Sequence, residues 1–161
     1  MELEFDVKIN ASVLYDYMMR HSYYSASGLI GTAVGALLVC SFFLLPENGV
    51  LYLILGIVLM LYLPCSLYLR SRKQAAVTPA FQKPLHYRMT DEGVEVSQGE
   101  DKALTEWSSM YRAVSSTRSI ILYTSRINAF IFPRADLGEK LPVLVEMIST
   151  HMPPSRVKIR M

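Results

Sequence analysis

The side chains that could support chemistry are few and lie far apart in the sequence. His21, His86 and His151 have no cysteine or carboxylate neighbours at the spacing of a zinc site. The serine pairs 108–109 and 115–116 have no nearby base that could activate a hydroxyl for nucleophilic attack. The glycines lie in turns or in apolar runs, so they form no phosphate-binding loop. We therefore predict a protein that is not an enzyme and that uses no metal or cofactor.

Two groups of basic residues are the remaining candidates for a binding site. The first directly follows an apolar run, and the second alternates near the C-terminus, where its members would share one face of a strand. They are Arg70, Arg72 and Lys73 in the first group and Arg156, Lys158 and Arg160 in the second. Both could contact anionic lipid head groups, at about 1 kcal/mol for each basic residue. The alternative for the second group is an ordinary solvent-exposed face.

The overall composition excludes several classes of protein. The chain has 161 residues, 16 Lys and Arg against 14 Asp and Glu, and a net charge of +2. This small basic excess argues against a general nucleic-acid binder. A mean hydropathy of +0.26 is too high for a disordered chain. Cys40 and Cys65 are too few for a disulfide framework or a cysteine-rich metal site.

The apolar residues are concentrated in two uninterrupted runs, Gly28–Leu45 and Val50–Leu69. As helices these runs would be about 27 and 30 Å long, enough to cross a bilayer core of about 30 Å. A signal peptide would begin nearer the N-terminus, and a soluble core helix rarely stays apolar on every face. We therefore predict a transmembrane hairpin over residues 25–69, with spans at 28–45 and 50–69.

The charges that flank the two runs predict the orientation of the hairpin. Arg20 precedes the first span and the group at residues 70–73 follows the second, whereas the turn at 46–49 contains no Lys or Arg. The positive-inside rule then places both termini of this multi-pass protein in the cytoplasm and the turn outside. The spans carry no charged residue, which argues against an ion pathway or a transporter core.

Small residues recur every four positions along the first span, at Ser27, Gly31 and Gly35. Such a stripe lets helix backbones approach closely. One alternative is packing against the second span of the same chain, around Gly56. The other is contact with a second copy or with a larger membrane protein.

The rest of the chain predicts a small β domain. Residues 1–24 should form a half-buried strand over Glu2–Ile9 and an amphipathic helix, because apolar and charged residues alternate over the strand. Residues 70–84 are assigned to a juxtamembrane linker, and residues 85–161 to the domain with its C-terminal helix and tail. Short alternating segments separated by turns predict an antiparallel meander. The predicted strands are 85–89, 94–96, 103–107, 112–116, 119–124 and 127–132. The fold class is thus α+β, a two-helix transmembrane hairpin plus a small antiparallel β sandwich, like that of pleckstrin-homology domains, capped by a helix.

Three segments of the sequence match a known pattern. They are the run Tyr87-Arg88-Met89-Thr90-Asp91-Glu92-Gly93-Val94, the pair Glu106-Trp107, and the run Phe130-Ile131-Phe132-Pro133-Arg134. With the order of strand, helix, hairpin and β domain, the chain resembles the YcxB-like membrane proteins of bacteria. The resemblance implies an inner-membrane protein with a cytoplasmic pleckstrin-like domain. It implies no established activity and supplies no catalytic residues.

The expected function is that of a membrane-anchored binding or adaptor module that presents its β domain to a protein partner at the cytoplasmic face. A regulatory, accessory-subunit or immunity role would fit this description, and self-association through the hairpin or the β domain would provide a partner. The alternative is a domain that binds or senses membrane lipid through its basic faces.

Overall fold

The computed structural model describes residues 2–45 and 47–160. Met1, Pro46 and Met161, which belong to the predicted N-terminal segment, hairpin turn and tail, lie outside the described residues. The strands are β1 (Leu3–Val7), β2 (Leu85–Met89), β3 (Gly93–Gln98), β4 (Asp101–Glu106), β5 (Arg112–Ser115), β6 (Ser119–Tyr123), β7 (Ala129–Pro133) and β8 (Val157–Lys158). The helices are α1 (Ala11–Tyr23), α2 (Ala26–Leu44), α3 (Gly49–Val77), α4 (Arg134–Leu137) and α5 (Leu141–His151). The chain is therefore α+β, as its sequence predicts.

The first sheet has the strand order β1-β2-β3-β4 and is antiparallel throughout. Its first strand comes from the N-terminus, and the register pairs Phe5 with Tyr87 on β2. Leu3, Phe5 and Val7 are buried, whereas the residues between them are exposed. The predicted half-buried strand at the N-terminus is confirmed, and it completes a sheet whose other strands follow the hairpin.

The second sheet has the order β7-β6-β5-β8, and the pairing of β5 with β8 is parallel. The expectation of a purely antiparallel sandwich is therefore wrong at this edge. The physical reason is topological. Because β5 pairs antiparallel with β6 and β6 pairs antiparallel with β7, β7 runs in the same direction as β5. The helix α5 then returns the chain to the other end of the sheet, so β8 also runs in the direction of β5.

The two sheets and α5 enclose one hydrophobic core. Phe5, Tyr87 and Phe132 form an aromatic cluster with ring centroids 5.1–5.7 Å apart, and Leu144 and Met147 of α5 are fully buried. Trp107 is 8% exposed, and its indole N–H donates to the carbonyl oxygen of Thr90 at 2.8 Å. Trp107 is thus a core residue. It begins a short 3-10 turn at Trp107–Ser109 instead of ending a strand, because the chain passes there from one sheet to the other.

The helix α1 lies between the β domain and α3. Asn10 caps it by accepting a hydrogen bond from the backbone of Val13 at 3.0 Å, and Val13 and Leu14 are buried. On its other side, the ring of Tyr15 meets that of Tyr68 on α3 edge to face at 5.9 Å. The domain is therefore attached to the hairpin through packed side chains.

The helix α3 continues to Val77 and so includes half of the segment 70–84 that the sequence assigned to a linker. The chain has no glycine or proline between Pro64 and Pro79, and straight-chain residues such as Arg72 and Lys73 favour helix. Ser71 is fully buried and packs this extension against the rest of the molecule. The apolar pattern ends at Leu69 and marks the end of the hydrophobic span, whereas the helix itself continues to Val77.

By length and composition, α2 and α3 are each sufficient to cross a membrane. Only 11% of the most apolar stretch of each helix is buried, which is unlike the core helix of a soluble protein. The two helices pack closely where Gly35 faces α3 and Gly56 faces α2. This contact corresponds to one of the two alternatives for the small-residue stripe, packing against the second span of the same chain around Gly56.

Candidate functional site

The strand β8 places the last basic residues of the chain beside β5. Its register pairs Val157 with Ala113 and Lys158 with Val114. The backbone N–H of Arg160 then donates to the hydroxyl of Ser115 at 2.8 Å, which extends the attachment beyond the strand. The tail is thus fixed on the side of the domain where α1 ends.

Six basic residues from four parts of the chain meet there, and we call them the basic face. They are Arg20 at the end of α1, Arg112 on β5, Arg134 on α4, and Arg156, Lys158 and Arg160 in the tail. They line three neighbouring clefts. Arg20 belongs to two of the clefts, and Arg112 and Lys158 are likewise shared by two.

The cleft nearest the hairpin has a volume of about 250 Å³, and we call it the junction cleft. Its walls are formed by Arg20, His21, Tyr24, Ser25, Arg112, Val114, Tyr123 and Lys158. Ser25 caps the N-terminus of α2, where its hydroxyl accepts a hydrogen bond from the backbone of Gly28 at 3.2 Å. Three cations therefore converge where the first apolar helix begins.

Two further clefts continue the basic face away from the hairpin. One, of about 430 Å³, is lined by Arg20, Arg134 and Arg160 together with the hydroxyl residues 115–117. The other, of about 270 Å³, is lined by Arg112, Arg156 and Lys158 with Tyr111, Val114 and Ser155. Guanidinium groups beside hydroxyl groups provide donors for hydrogen bonds to the oxygens of a phosphate group.

Aromatic rings and carbonyl groups hold the arginines of the basic face in place. The guanidinium carbon of Arg112 lies 4.6 Å from the ring centroid of Tyr123, and that of Arg20 lies 5.0 Å from the ring of Tyr24. Arg134 donates from Nη2 to the carbonyl oxygen of Arg160 at 2.6 Å. Stacking on a ring and bonding to a carbonyl oxygen position these guanidinium groups without removing their positive charge.

The groups around the basic face add little negative charge. Among the described residues that line the three clefts, none is acidic. Asp16 lies close by and accepts a hydrogen bond from Ser116. Burial, and secondarily the neighbouring Tyr123, raise the pKa of Tyr17, so its phenol stays neutral at physiological pH. The face therefore attracts anions.

A second cavity lies between α2 and α3 beside the junction cleft, and we call it the hairpin groove. It measures about 230 Å³ and is lined by Ser22, Ser25, Ser27, Gly28, Gly31, Thr32, Leu59, Met60, Tyr62 and Leu63. Ser25 belongs to both cavities. The stripe of Ser27, Gly31 and Gly35 is therefore divided. Gly35 packs against α3, whereas Ser27 and Gly31 line the groove.

The other predicted lipid-contact residues lie apart from the basic face. Arg70, Arg72 and Lys73 are exposed on α3, and the guanidinium carbon of Arg72 lies 5.8 Å from the ring centroid of Tyr68. They do not line the three clefts. The structure thus brings Arg156, Lys158 and Arg160 together with other cations, and leaves the first group to flank the second apolar helix.

The three histidines do not meet. His21 lies in the junction cleft, His86 pairs with Asp6 at 2.8 Å, and His151 stacks on Trp107 with ring centroids 4.9 Å apart. Within residues 2–45 and 47–160, no group of three or more His, Cys, Asp or Glu could hold a metal ion.

Comparison with known proteins finds a family match within the β domain. Residues 90–148 match the model of the YcxB-like protein family. The resemblance seen in the sequence is therefore confirmed for this part of the chain, and the hairpin lies outside the matched residues. No curated protein and no solved structure gave a match.

The matched part of the chain contains only some of the basic face. Arg112 and Arg134 lie within the matched residues, whereas Arg20 precedes them and the tail follows them. Sequence reasoning did not include Arg20, Arg112 or Arg134 among the candidate site residues. Their common location depends on the pairing of β5 with β8, and a two-residue strand gives too short an alternation to predict its partner.

Proposed function

We propose that this protein is a two-span membrane protein of the bacterial inner membrane whose pleckstrin-like β domain binds the anionic lipid surface at the cytoplasmic side. The single observation that carries the proposal is the position of the basic face. Its junction cleft adjoins Ser25, the residue that caps the first apolar helix. If α2 spans the bilayer, the cleft lies at the depth of the lipid phosphates.

Three further features support the proposal. Both apolar helices expose most of their surface, which favours contact with lipid. Basic residues flank the helix ends on the side of the β domain, as the positive-inside rule requires of a cytoplasmic domain. The order of seven strands followed by α5, with β1 supplied by the N-terminus, supports the proposed pleckstrin-like assignment.

The function so proposed is binding, without catalysis. Each basic residue near an anionic membrane surface contributes about 1 kcal/mol, so the six of the basic face would give a strong preference for anionic lipid. Packing of α1 against both the domain and α3 keeps that face in one position relative to the hairpin.

The test uses the full chain in lipid nanodiscs of phosphatidylcholine with or without phosphatidylglycerol. Hydrogen exchange of residues 112–116 and 156–160 should slow in the anionic discs, and high salt should reverse the effect because screening weakens surface attraction. The variant Arg112→Gln/Lys158→Gln should lose the difference. The control variant Lys83→Gln/Lys102→Gln, which changes the charge equally at exposed positions outside the clefts, should keep it. Equal exchange in both kinds of disc would refute the proposal.

One observation favours a protein partner as a second candidate function. The strand β4 lies at the edge of the first sheet, and Leu104 at its centre is 51% exposed. An open edge can accept an extended segment of another protein as an added strand. Substituting Leu104→Pro should abolish binding of such a segment and leave the preference for anionic lipid unchanged. Arg112→Gln should weaken the lipid preference and leave binding of the segment unchanged.

A further inference from the structure

We propose that the junction cleft and the hairpin groove together hold one phospholipid molecule, with its phosphate among Arg20, Arg112 and Lys158 and one acyl chain in the groove. This inference rests on the proposed membrane function, and it specifies the ligand of the same site. It differs from general attraction to a charged surface because it requires a cavity inside the hairpin as well as the basic residues.

The two cavities adjoin at Ser25, which lines both of them. Together they offer a ligand a polar end and an apolar end. The polar end carries two arginines and a lysine. The apolar end has Leu59, Met60 and Leu63 on α3 as its wall. An amphiphile with an anionic head matches both ends, whereas a soluble anion matches only the first.

Three of the hydroxyl groups that line the groove, those of Ser25, Ser27 and Thr32, already make hydrogen bonds within the protein. Thr32 donates to the carbonyl oxygen of Gly28 at 2.8 Å, and Ser25 donates to that of Ser22 at 2.6 Å. Groups that are satisfied within the helix need no polar ligand. An acyl chain can therefore occupy the groove without leaving any of these groups unpaired.

The shape of the groove depends on a glycine. A Cβ atom at Gly31 would meet no heavy atom within 4 Å, so the residue faces open space, although Gly35 one turn later is in close contact with α3. A larger side chain at residue 31 would fill this space without disturbing the helix pair. Gly31→Leu is thus a specific way to block the apolar end alone.

The experiment measures phospholipid bound to the full chain by native mass spectrometry after purification in a mild detergent. The wild type should retain one phosphatidylglycerol molecule in preference to phosphatidylcholine. Gly31→Leu should lower the retained fraction about tenfold. The matched control Ala33→Leu, at an exposed position outside the groove, should retain lipid as the wild type does. Circular dichroism would verify that each variant keeps the same helix and strand content.

The charge variant separates this inference from the proposed function. If Arg112→Gln/Lys158→Gln loses the preference for phosphatidylglycerol but Gly31→Leu retains lipid normally, the single-lipid site is wrong and surface binding stands. If the charge variant keeps the preference, both are wrong. Displacement of the lipid by millimolar inorganic phosphate would show a free-anion site instead. A wild-type dimer that Gly31→Leu dissociates would show that a second copy occupies the groove, and that also overturns the inference.

Discussion

Gly56 of α3 lies so close to Gly35 of α2 that a Cβ atom on Gly56 would be 2.9 Å from the carbonyl oxygen of Gly35. The same atom would lie 2.9 Å from the backbone nitrogen of Val39. Since both neighbours are backbone atoms, neither can move away by changing a rotamer. The close approach of the two apolar helices therefore depends on the absence of a side chain at residue 56.

Substituting Gly56→Ala should destabilise the hairpin by about 1–3 kcal/mol, because overpacking forces the backbones apart. Gly35→Ala should cost less, since its closest neighbour is the flexible side chain of Met60 at 2.7 Å. Gly31→Ala is the control and should not destabilise, because its Cβ enters open space. Unfolding in mixed micelles of dodecyl sulfate would rank the three variants. Equal stability of all three would contradict the packing described.

The N-terminal strand should contribute strongly to the stability of the β domain. Phe5 is 4% exposed and contacts the rings of Tyr87 and Phe132. Phe5→Ala should therefore lower the free energy of unfolding by about 3–5 kcal/mol. Lys8→Ala on the exposed face of the same segment should change it by no more than about 0.5 kcal/mol. Chemical denaturation of the full chain in detergent measures both, and a small effect of Phe5→Ala would show that the strand is dispensable.

The sequence predicts the elements of this fold better than it predicts their assembly. Alternation of period two identified β1 because one face of that strand is buried and the other is exposed. The extension of α3 to Val77 was not predicted, since hydropathy ends at Leu69 while helix propensity continues. The basic face was only half predicted. Arg156, Lys158 and Arg160 share a local pattern, but their meeting with Arg20 and Arg112 depends on contacts between residues far apart in the chain.

Alkaline pH should destabilise the domain through a buried tyrosine. Burial raises the pKa of Tyr87 above its ordinary value of 10.0, so the folded state keeps a proton that the unfolded state releases. Stability contributed by this group is complete below pH 10 and falls as the pH rises above it, by about 1.36 kcal/mol per pH unit.

The variant Tyr87→Phe should flatten this decline, because it removes the phenol whose pKa burial raises. The measurement is the free energy of unfolding between pH 9 and about 11, in steps that bracket the ordinary tyrosine pKa. A decline of the same steepness in wild type and Tyr87→Phe would rule out this residue as the source.

Whether the basic face lies against the cytoplasmic lipid surface is tested most directly by the topology of the hairpin in intact cells. With Cys40 and Cys65 replaced by alanine, single cysteines are introduced as Asn48→Cys in the turn and Ser155→Cys beside the basic face, both at exposed positions. A membrane-impermeant maleimide should label Asn48→Cys from outside the cell, and should label Ser155→Cys only after the cells are lysed. Labelling of Ser155→Cys in intact cells, with Asn48→Cys protected, would place the basic face outside and contradict its proposed role.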